Sequence, residues 1–381
     1  MHILIWSTAP WMKTGYGKNC LHFMKIFKEL GHDVSIISTY GLMGGSIDIG
    51  GVKVFPSNNN FYQMGSWVKY WEDQLLPDII LQHFDVWTVE AGFIHNDEIR
   101  TPLITHTPVD SSPMPRLIKE CASGAYDNLA MSNFAHKAFR ANNMPSQRVI
   151  HHPVDNSIFR PIPKEDARKA IGLPQDGFII GCVGTNKGPR KNIIGQLRAF
   201  HNFLNNNSLW EEPVYMYLHT YLTNDFRNPE GLDIPSIIDH LGLESHIYFT
   251  DLDTYYAGFS DEQMRDIYAS FDCLSICSMA EGFGIPIIEA QACGIPVITT
   301  NFSAMPEVMG DGGLLVEPAE LMSWQRLGCA HAVPSEKKIE KRYLEIYENK
   351  HPRLSDKAIL NSSRFHIDNI KLQWKHYLEN L

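Results

Sequence analysis

The sequence predicts an α/β protein made of two successive doubly wound, mostly parallel sheets. Three observations carry this expectation. Short apolar runs alternate with helix-length amphipathic segments, the pattern of a parallel sheet with crossover helices. The alternation stops near 158–166, where IFRPIPKED sets two prolines close together, and then begins again. A chain of 381 residues is long for one domain and ordinary for two.

In the first half, HILIW (His2 to Trp6) reads as a strand, followed by a glycine-bearing loop, TGYGKN, and an amphipathic helix, CLHFMKIFKEL, ending at Gly31. HDVSIIS, VKVF, DIILQH (78–83), PLITH (102–106), NLAMS (128–132) and RVIHH (148–152) continue the strand series. KEDARKAIGL opens the second half as a helix. FIIGCVG follows as a strand, NIIGQLRAFHNFL as a helix, and VYMYLHT, HIYFTD, DCLSIC and IPVITT as further strands. The stretch SRFHIDNIKLQWKHYLENL places Phe365, Ile370, Trp374 and Leu378 near helical spacing, and residues 322–335 have no assignable period. The expected organisation is a first Rossmann-like domain over 1–160, a second over 161–364, and a terminal helix over 365–381.

Composition narrows the function classes. With 44% hydrophobic and 20% charged residues a sizeable core can be buried. The formal net charge of −10 argues against long stretches of nucleic-acid backbone as a partner and leaves room for a local basic pocket. The seven cysteines are odd in number and none has C-x2-C spacing, so they read as buried free thiols in a reducing compartment. The amino-terminal stretch lacks the layout of a secretory signal, and no apolar run approaches about 18 residues. A cytoplasmic chain, free or peripheral at a membrane, is the expectation.

The densest signal lies in SMAEGFGIPIIEAQACG. A strand runs into a loop containing Gly282 and Gly284, which permit close backbone approach, and Pro286 suits the first turn of a helix. A helix start at the carboxyl edge of a parallel sheet is an anion seat. Glu281 and Glu289 would flank it, the first on the loop and the second in the first helical turn. The plainer reading makes Glu289 a complement to the helix dipole and Glu281 a solvated loop charge.

The longer string EGFGIPIIEAQACGIPVITTNFSAMPEVMGDGGLLVEP resembles the nucleotide-sugar site of the family-four retaining glycosyltransferases, whose two glutamates stand eight positions apart as Glu281 and Glu289 do. FSDEQMRDIYASFDCLSICS is similar to the family's helix-and-strand approach to that site, and VGTNKGPRKNIIGQLRAF to its phosphate-contacting loop. VIHHPVDNSIFRP resembles the interdomain segment, with His152 and Pro153 where asparagine and glycine are usual, and SRFHIDNIKLQW resembles the terminal helix that crosses back to the first domain. The likeness covers most of the second half well and the first half loosely.

The resemblance implies a GT-B fold and a metal-independent hexosyltransferase, moving a sugar with retention from a UDP- or GDP-linked donor to an acceptor hydroxyl in the interdomain cleft. Glu281 would sit near the donor sugar, with Gly282, Phe283, Gly284 and Ile285 around the sugar and diphosphate. Glu289 would grip the ribose and Lys191 the diphosphate. Thr185 stands where the family usually has arginine, and Arg190 or Lys187 could supply that charge. In the first half, Gly15, Tyr16 and Gly17 match the glycine loop facing the diphosphate. His106 matches the cleft histidine near the reacting sugar, in competition with His83, and Asp110 is a candidate acceptor contact. The resemblance implies no cofactor beyond the donor and no metal. Asp251-Leu252-Asp253 is a D-x-D string, the metal motif of a different glycosyltransferase fold, and is read here as a loop feature. Glu281 and Glu289 as a glycosidase pair would both have to face one glycosidic oxygen, which a helix-start placement opposes. A sugar-nucleotide epimerase of similar architecture and a degenerate nucleotide- or sugar-binding protein are the alternatives. The acceptor stays open among saccharide, lipid-linked sugar, protein and modified nucleobase.

Overall fold

The computed structural model describes residues 1–56, 64–88, 99–224, 228–324, 328–351 and 353–381. The chain divides into two compact units. One comprises Met1–Pro153, Trp324–Cys329 and Ile367–Leu381, the other Val154–Ser323 and Ala330–His366.

The elements run in sequence as follows. The first unit begins with β1 (His2–Ser7), α1 (Gly15–Glu29), β2 (Asp33–Ser38), β3 (Ile47–Ile49) and β4 (Val52–Pro56). It continues with α2 (Met64–Leu75), β5 (Ile79–His83), β6 (Leu103–Thr105), α3 (Arg116–Ala122), β7 (Asp127–Asn128) and α4 (Asn133–Ala141). The second unit opens with α5 (Lys164–Ile171), β8 (Phe178–Val183), α6 (Ile193–Asn206), β9 (Val214–His219), α7 (Ile234–Leu241) and β10 (Ile247–Phe249). Then come α8 (Leu252–Ala257), α9 (Asp261–Ala269), β11 (Cys273–Ile276), α10 (Ile285–Ala292), β12 (Val297–Thr300), α11 (Met305–Met309) and β13 (Gly313–Val316). The chain closes with β14 (Pro318–Trp324), β15 (Cys329–Pro334), α12 (Glu336–Tyr347), α13 (Leu354–Ser362) and α14 (Ile367–Leu378).

The first sheet has the order β3-β4-β2-β1-β5-β6-β7 and is parallel except for β3. The second has the order β10-β9-β8-β11-β12-β13 and is parallel throughout. Strands of such sheets are covered on both faces, so they read as continuous apolar runs, and β1, β2, β5, β8 and β11 are buried almost end to end. Helix α1 buries Cys20, Phe23, Met24 and Phe27, an i, i+3, i+4, i+7 stripe, into the first core. Trp374 of α14 meets Phe23 and Phe27 edge-on in that same core, and the Tyr377 hydroxyl donates to the buried Asp127 carboxylate at 2.9 Å. The second core gathers Phe200 and Phe203 of α6 with Met216, Leu218, Ile298 and Tyr343.

Four readings are corrected. NLAMS and RVIHH are not full strands: β7 is two residues long, and Ala130 and Val149 form one isolated bridge beyond it. Asp127 and Asn128 spend their side chains on Gln147, Tyr377 and Pro145, which ends the ladder at this edge. Gly15-Tyr16-Gly17 is not a loop but the first turn of α1, capped by Thr14, whose hydroxyl accepts from the Gly17 amide at 3.1 Å. Of residues 322–335, which showed no period, 322–324 end β14 and 329–334 form β15 of a two-stranded sheet; 325–327 lie outside the described residues. Asp251 of the D-x-D string caps α8, its carboxylate accepting from the Thr254 amide at 3.0 Å.

Gly181, in the middle of β8, has no room for a side chain. A Cβ there would lie 2.1 Å from the ring of fully buried Phe271. Gly181→Ala is expected to cost ~1–3 kcal/mol by overpacking, read as a lower denaturant midpoint at unchanged slope. An unchanged midpoint would show that the Phe271 ring can give way.

Candidate functional site

The site grows out of two neighbouring strands of the second sheet. Cys273 to Ser275 of β11 pair in parallel with Ile180 to Cys182 of β8, so the loops leaving their carboxyl ends run side by side. The loop after β8 ends at Asn192, which adopts a left-handed φ of 50° before α6 begins. Its side chain donates to the Cys277 carbonyl at 3.2 Å. Gln196 of α6 accepts from the Ser275 hydroxyl and the Cys277 amide and donates to the Lys191 carbonyl. The Met279 amide donates to the Arg190 carbonyl at 2.7 Å. The two loops are thereby fastened together, chiefly by bonds that involve the backbone.

On this frame the charged side chains meet. The Lys191 ammonium donates to Glu281 Oε1 at 2.6 Å, and the Arg190 guanidinium lies 3.2 Å from Oε2 while donating to the Ala280 carbonyl at 2.7 Å. The Glu281 amide donates to the Ser303 hydroxyl at 3.0 Å. Glu281 is 6% exposed. Burial alone would raise its carboxyl pKa, but the Lys191 charge, then that of Arg190, outweigh burial and hold it at about 2. Of the two candidates for the charge missing at Thr185, Arg190 is the one drawn to Glu281. Lys187 is exposed, and Thr185 lies beside the Tyr255 phenol, which burial pushes up and the threonine partly restores.

Three residues after Glu281 the chain turns into α10. Gly284 caps it at φ 100°, a conformation that favours glycine, and Ile285 and Pro286 open the helix as the sequence predicts. Gly282 and Ile285 are half-buried, while Phe283 turns its ring inward, edge-on to Phe365 at 5.7 Å between centroids. Glu289 sits deeper than expected. It is the fifth residue of α10 rather than part of the first turn, it is buried, and one carboxylate oxygen accepts from the Tyr268 hydroxyl at 2.8 Å. Tyr268 and Ser303 went unnoticed in the sequence. Tyr268 lies within the helix that resembles the family's approach to the site, where a lone tyrosine reads as core.

The first unit holds the remaining candidates. Gly15 is exposed, Tyr16 half-buried and Gly17 buried. A Cβ on Gly17 would lie 2.3 Å from the Met12 carbonyl oxygen, which accounts for that glycine by packing. Asp110 is half-buried, four residues beyond His106. His106, which the resemblance places near the reacting sugar, is fully buried. Its Nε2 is 3.0 Å from the Ile150 carbonyl and its Nδ1 3.1 Å from Nδ1 of His83, which is equally buried. His152 completes a group of three packed imidazoles. PLITH, DIILQH and RVIHH each end in histidine at the same end of the first sheet, a signal for the group that was present but not combined.

Residues 233–326 match the family model described as Glycosyl transferases group 1. The chain is 28% identical over 214 residues to O-antigen chain mannosyltransferase B of Escherichia coli, a match covering 55% of this chain and 52% of that protein. It is 28% identical over 178 residues to D-inositol 3-phosphate glycosyltransferase of Mycolicibacterium smegmatis, covering 46% and 37%. The chain thus spans about half or less of the length of these relatives. Among solved structures, a sucrose-phosphate synthase from Thermosynechococcus elongatus superposes with a TM-score of 0.79 at 16% identity, over 100% of this chain and 98% of the other. Anabaena Alr3699/HepE in complex with UDP-glucose gives 0.71 at 18% identity, over 100% of both chains. The architecture of two α/β units with parallel sheets is that of GT-B glycosyltransferases. Among the described residues no helix is long and apolar enough to cross a membrane.

The depressed pKa of Glu281 has a consequence for stability. A carboxyl lowered from the ordinary 4.5 to about 2 contributes stability that is complete above pH 4.5 and lost as pH falls towards 2, with an upper bound of about 3 kcal/mol. Lys191→Met removes the strongest stabilising charge, so acid unfolding is expected at a higher pH than in the wild type. Superimposable acid-unfolding curves by circular dichroism would show that Lys191 does not hold the carboxylate.

Proposed function

We propose that this chain is a retaining glycosyltransferase that moves a hexose from a UDP- or GDP-linked donor to an acceptor hydroxyl. The observation that carries the reading is the placement of Glu281 between Lys191 and Arg190, directly before the start of α10. Two cations and a helix amino terminus converge on one point at the carboxyl edge of a parallel sheet, which is where a diphosphate is best received. The relatives named as glycosyltransferases and the UDP-glucose complex of HepE support the same class.

In this proposal Lys191 and Arg190 take the diphosphate, with Arg190 standing in for the charge that Thr185 lacks. The amides of Gly282, Phe283, Gly284 and Ile285 face the sugar and phosphates. Without donor, Glu281 occupies both cations. An entering diphosphate competes for them and leaves the carboxylate to the sugar hydroxyls. Glu289, oriented by Tyr268, accepts from the two ribose hydroxyls. The bond from the anomeric carbon to the phosphate oxygen breaks, its electron pair staying on the phosphate, and the acceptor oxygen bonds to that carbon on the same face. The acceptor proton passes to the departing phosphate. The cations stabilise charge that develops only as this bond breaks, which is electrostatic catalysis and requires no metal at the diphosphate. Buried His106 is not assigned to the groups that touch substrate.

Donor turnover tests the reading. With UDP- and GDP-hexoses and a panel of saccharide, lipid-linked and protein acceptors, the wild type is expected to release nucleoside diphosphate and form a glycoside with retained anomeric configuration. Glu281→Gln and Lys191→Ala should each lower turnover about 100-fold or more. Full turnover in either variant would sink the assignment. Sugar conversion without nucleotide release would indicate an epimerase, and tight binding without turnover a binding protein.

A further inference from the structure

Within the first unit, His83 ends β5, His106 directly follows β6, and His152 lies in the segment after the Ala130–Val149 bridge. The three are 0%, 0% and 3% exposed, and one ligand nitrogen from each lies within 4.8 Å of the others. Three imidazoles rarely converge in an apolar interior without a common partner, because each carries two polar nitrogens that must be satisfied.

The hydrogen bonds fix the tautomers of two of the rings. Nε2 of His106 faces the Ile150 carbonyl at 3.0 Å, so it carries the proton and Nδ1 keeps a lone pair. Nδ1 of His83 faces both the His106 carbonyl at 3.2 Å and His106 Nδ1 at 3.1 Å, so it carries the proton, and its Nε2 is left buried with no hydrogen-bond partner. His83 and His106 thus each donate one N–H to a backbone carbonyl, the arrangement by which metal-binding histidines are oriented from behind, and an entering ion would compete with the His83 N–H for the lone pair on His106 Nδ1. Burial, and for His83 and His152 also the neighbouring imidazoles, lowers all three pKa values, His106 to about 4.

We propose that His83, His106 and His152 form a structural site for a divalent ion of the zinc class. An all-imidazole set suits zinc and its transition-metal neighbours, while magnesium and calcium require oxygen ligands. In a tetrahedral zinc site neighbouring nitrogens stand about 3.3 Å apart, so rings already within 4.8 Å need only pivot inward. The ion would tie the ends of β5 and β6 to the segment carrying Ile150 and His152, with a water completing its shell. It takes no part in sugar transfer. Edge-on contacts of Phe23 with His83 and His106, and of Trp374 with His106, hold the rings in place.

The test uses full-length protein purified without a metal-affinity step. Elemental analysis is expected to find about one zinc per chain. After chelation, added zinc should raise the melting temperature, and cobalt(II) should give the intense visible bands of a tetrahedral nitrogen site. His152→Asn and His83→Gln should lose the bound metal and the melting response, while donor turnover at saturating donor stays within about twofold of wild type, since the site lies outside the transfer machinery. Folded wild-type protein with no zinc, no cobalt bands and no melting response would overturn the proposal, leaving three core imidazoles. Metal uptake equal in wild type and both variants would place the ion elsewhere and overturn it as well. The cobalt spectrum of the wild type decides the matter even if a variant fails to fold.

Discussion

A carboxylate buried from water stays ionised only if cations or hydrogen-bond donors are held against it, and at Glu281 that requirement is met by two cations around which the loops of the second unit are organised. Lys191 and Arg190 are brought to it by the parallel pairing of β8 and β11, whose carboxyl-end loops are cross-linked through Asn192, Gln196 and the Met279 amide. Much of that fastening uses backbone groups, so the cations are positioned by the fold rather than by their own flexible stems. The left-handed turns at Asn192 and Gly284 then start α6 and α10 beside the same point. A site preorganised in this way stabilises developing charge without having to rearrange as the bond breaks.

Much of the fold was legible in the sequence because doubly covered parallel strands cannot avoid being apolar. HILIW, FIIGCVG and IPVITT announced β1, β8 and β12. The reading failed where that constraint lapses. Strand β3, an antiparallel edge strand of three residues, is largely exposed and carries no apolar run. Strand β7 shrank to two residues, where the Asp127 carboxylate accepts from the Gln147 amide and the Asn128 side chain donates to the Pro145 carbonyl in place of a longer ladder. Strands β14 and β15 mix apolar and polar residues without a clear period, which hid them.

The candidate site was readable in a different way. The spacing of Glu281, Gly284, Pro286 and Glu289 placed a loop and a helix start correctly, since glycine and proline impose local geometry wherever they stand. Partners that meet only through tertiary structure were invisible. Tyr268 reaches Glu289 from another helix, and Ser303 reaches Glu281 from the loop that follows β12. His106 is placed near the reacting sugar by the resemblance, and no local pattern announced its packing against Phe23, His83 and Trp374 in the core. The D-x-D string became an ordinary helix cap once α8 was seen to begin at Leu252.

The central claim is that the Lys191–Arg190–Glu281 cluster at the start of α10 is a nucleoside-diphosphate site. Calorimetric titration of the purified protein with UDP and with GDP tests it most directly. The account predicts saturable binding of one of them at about one per chain, with affinity falling about 10-fold or more in Arg190→Ala, as expected for loss of a charged phosphate contact. Binding of neither nucleotide by folded protein, or binding of equal strength in Arg190→Ala, would contradict it.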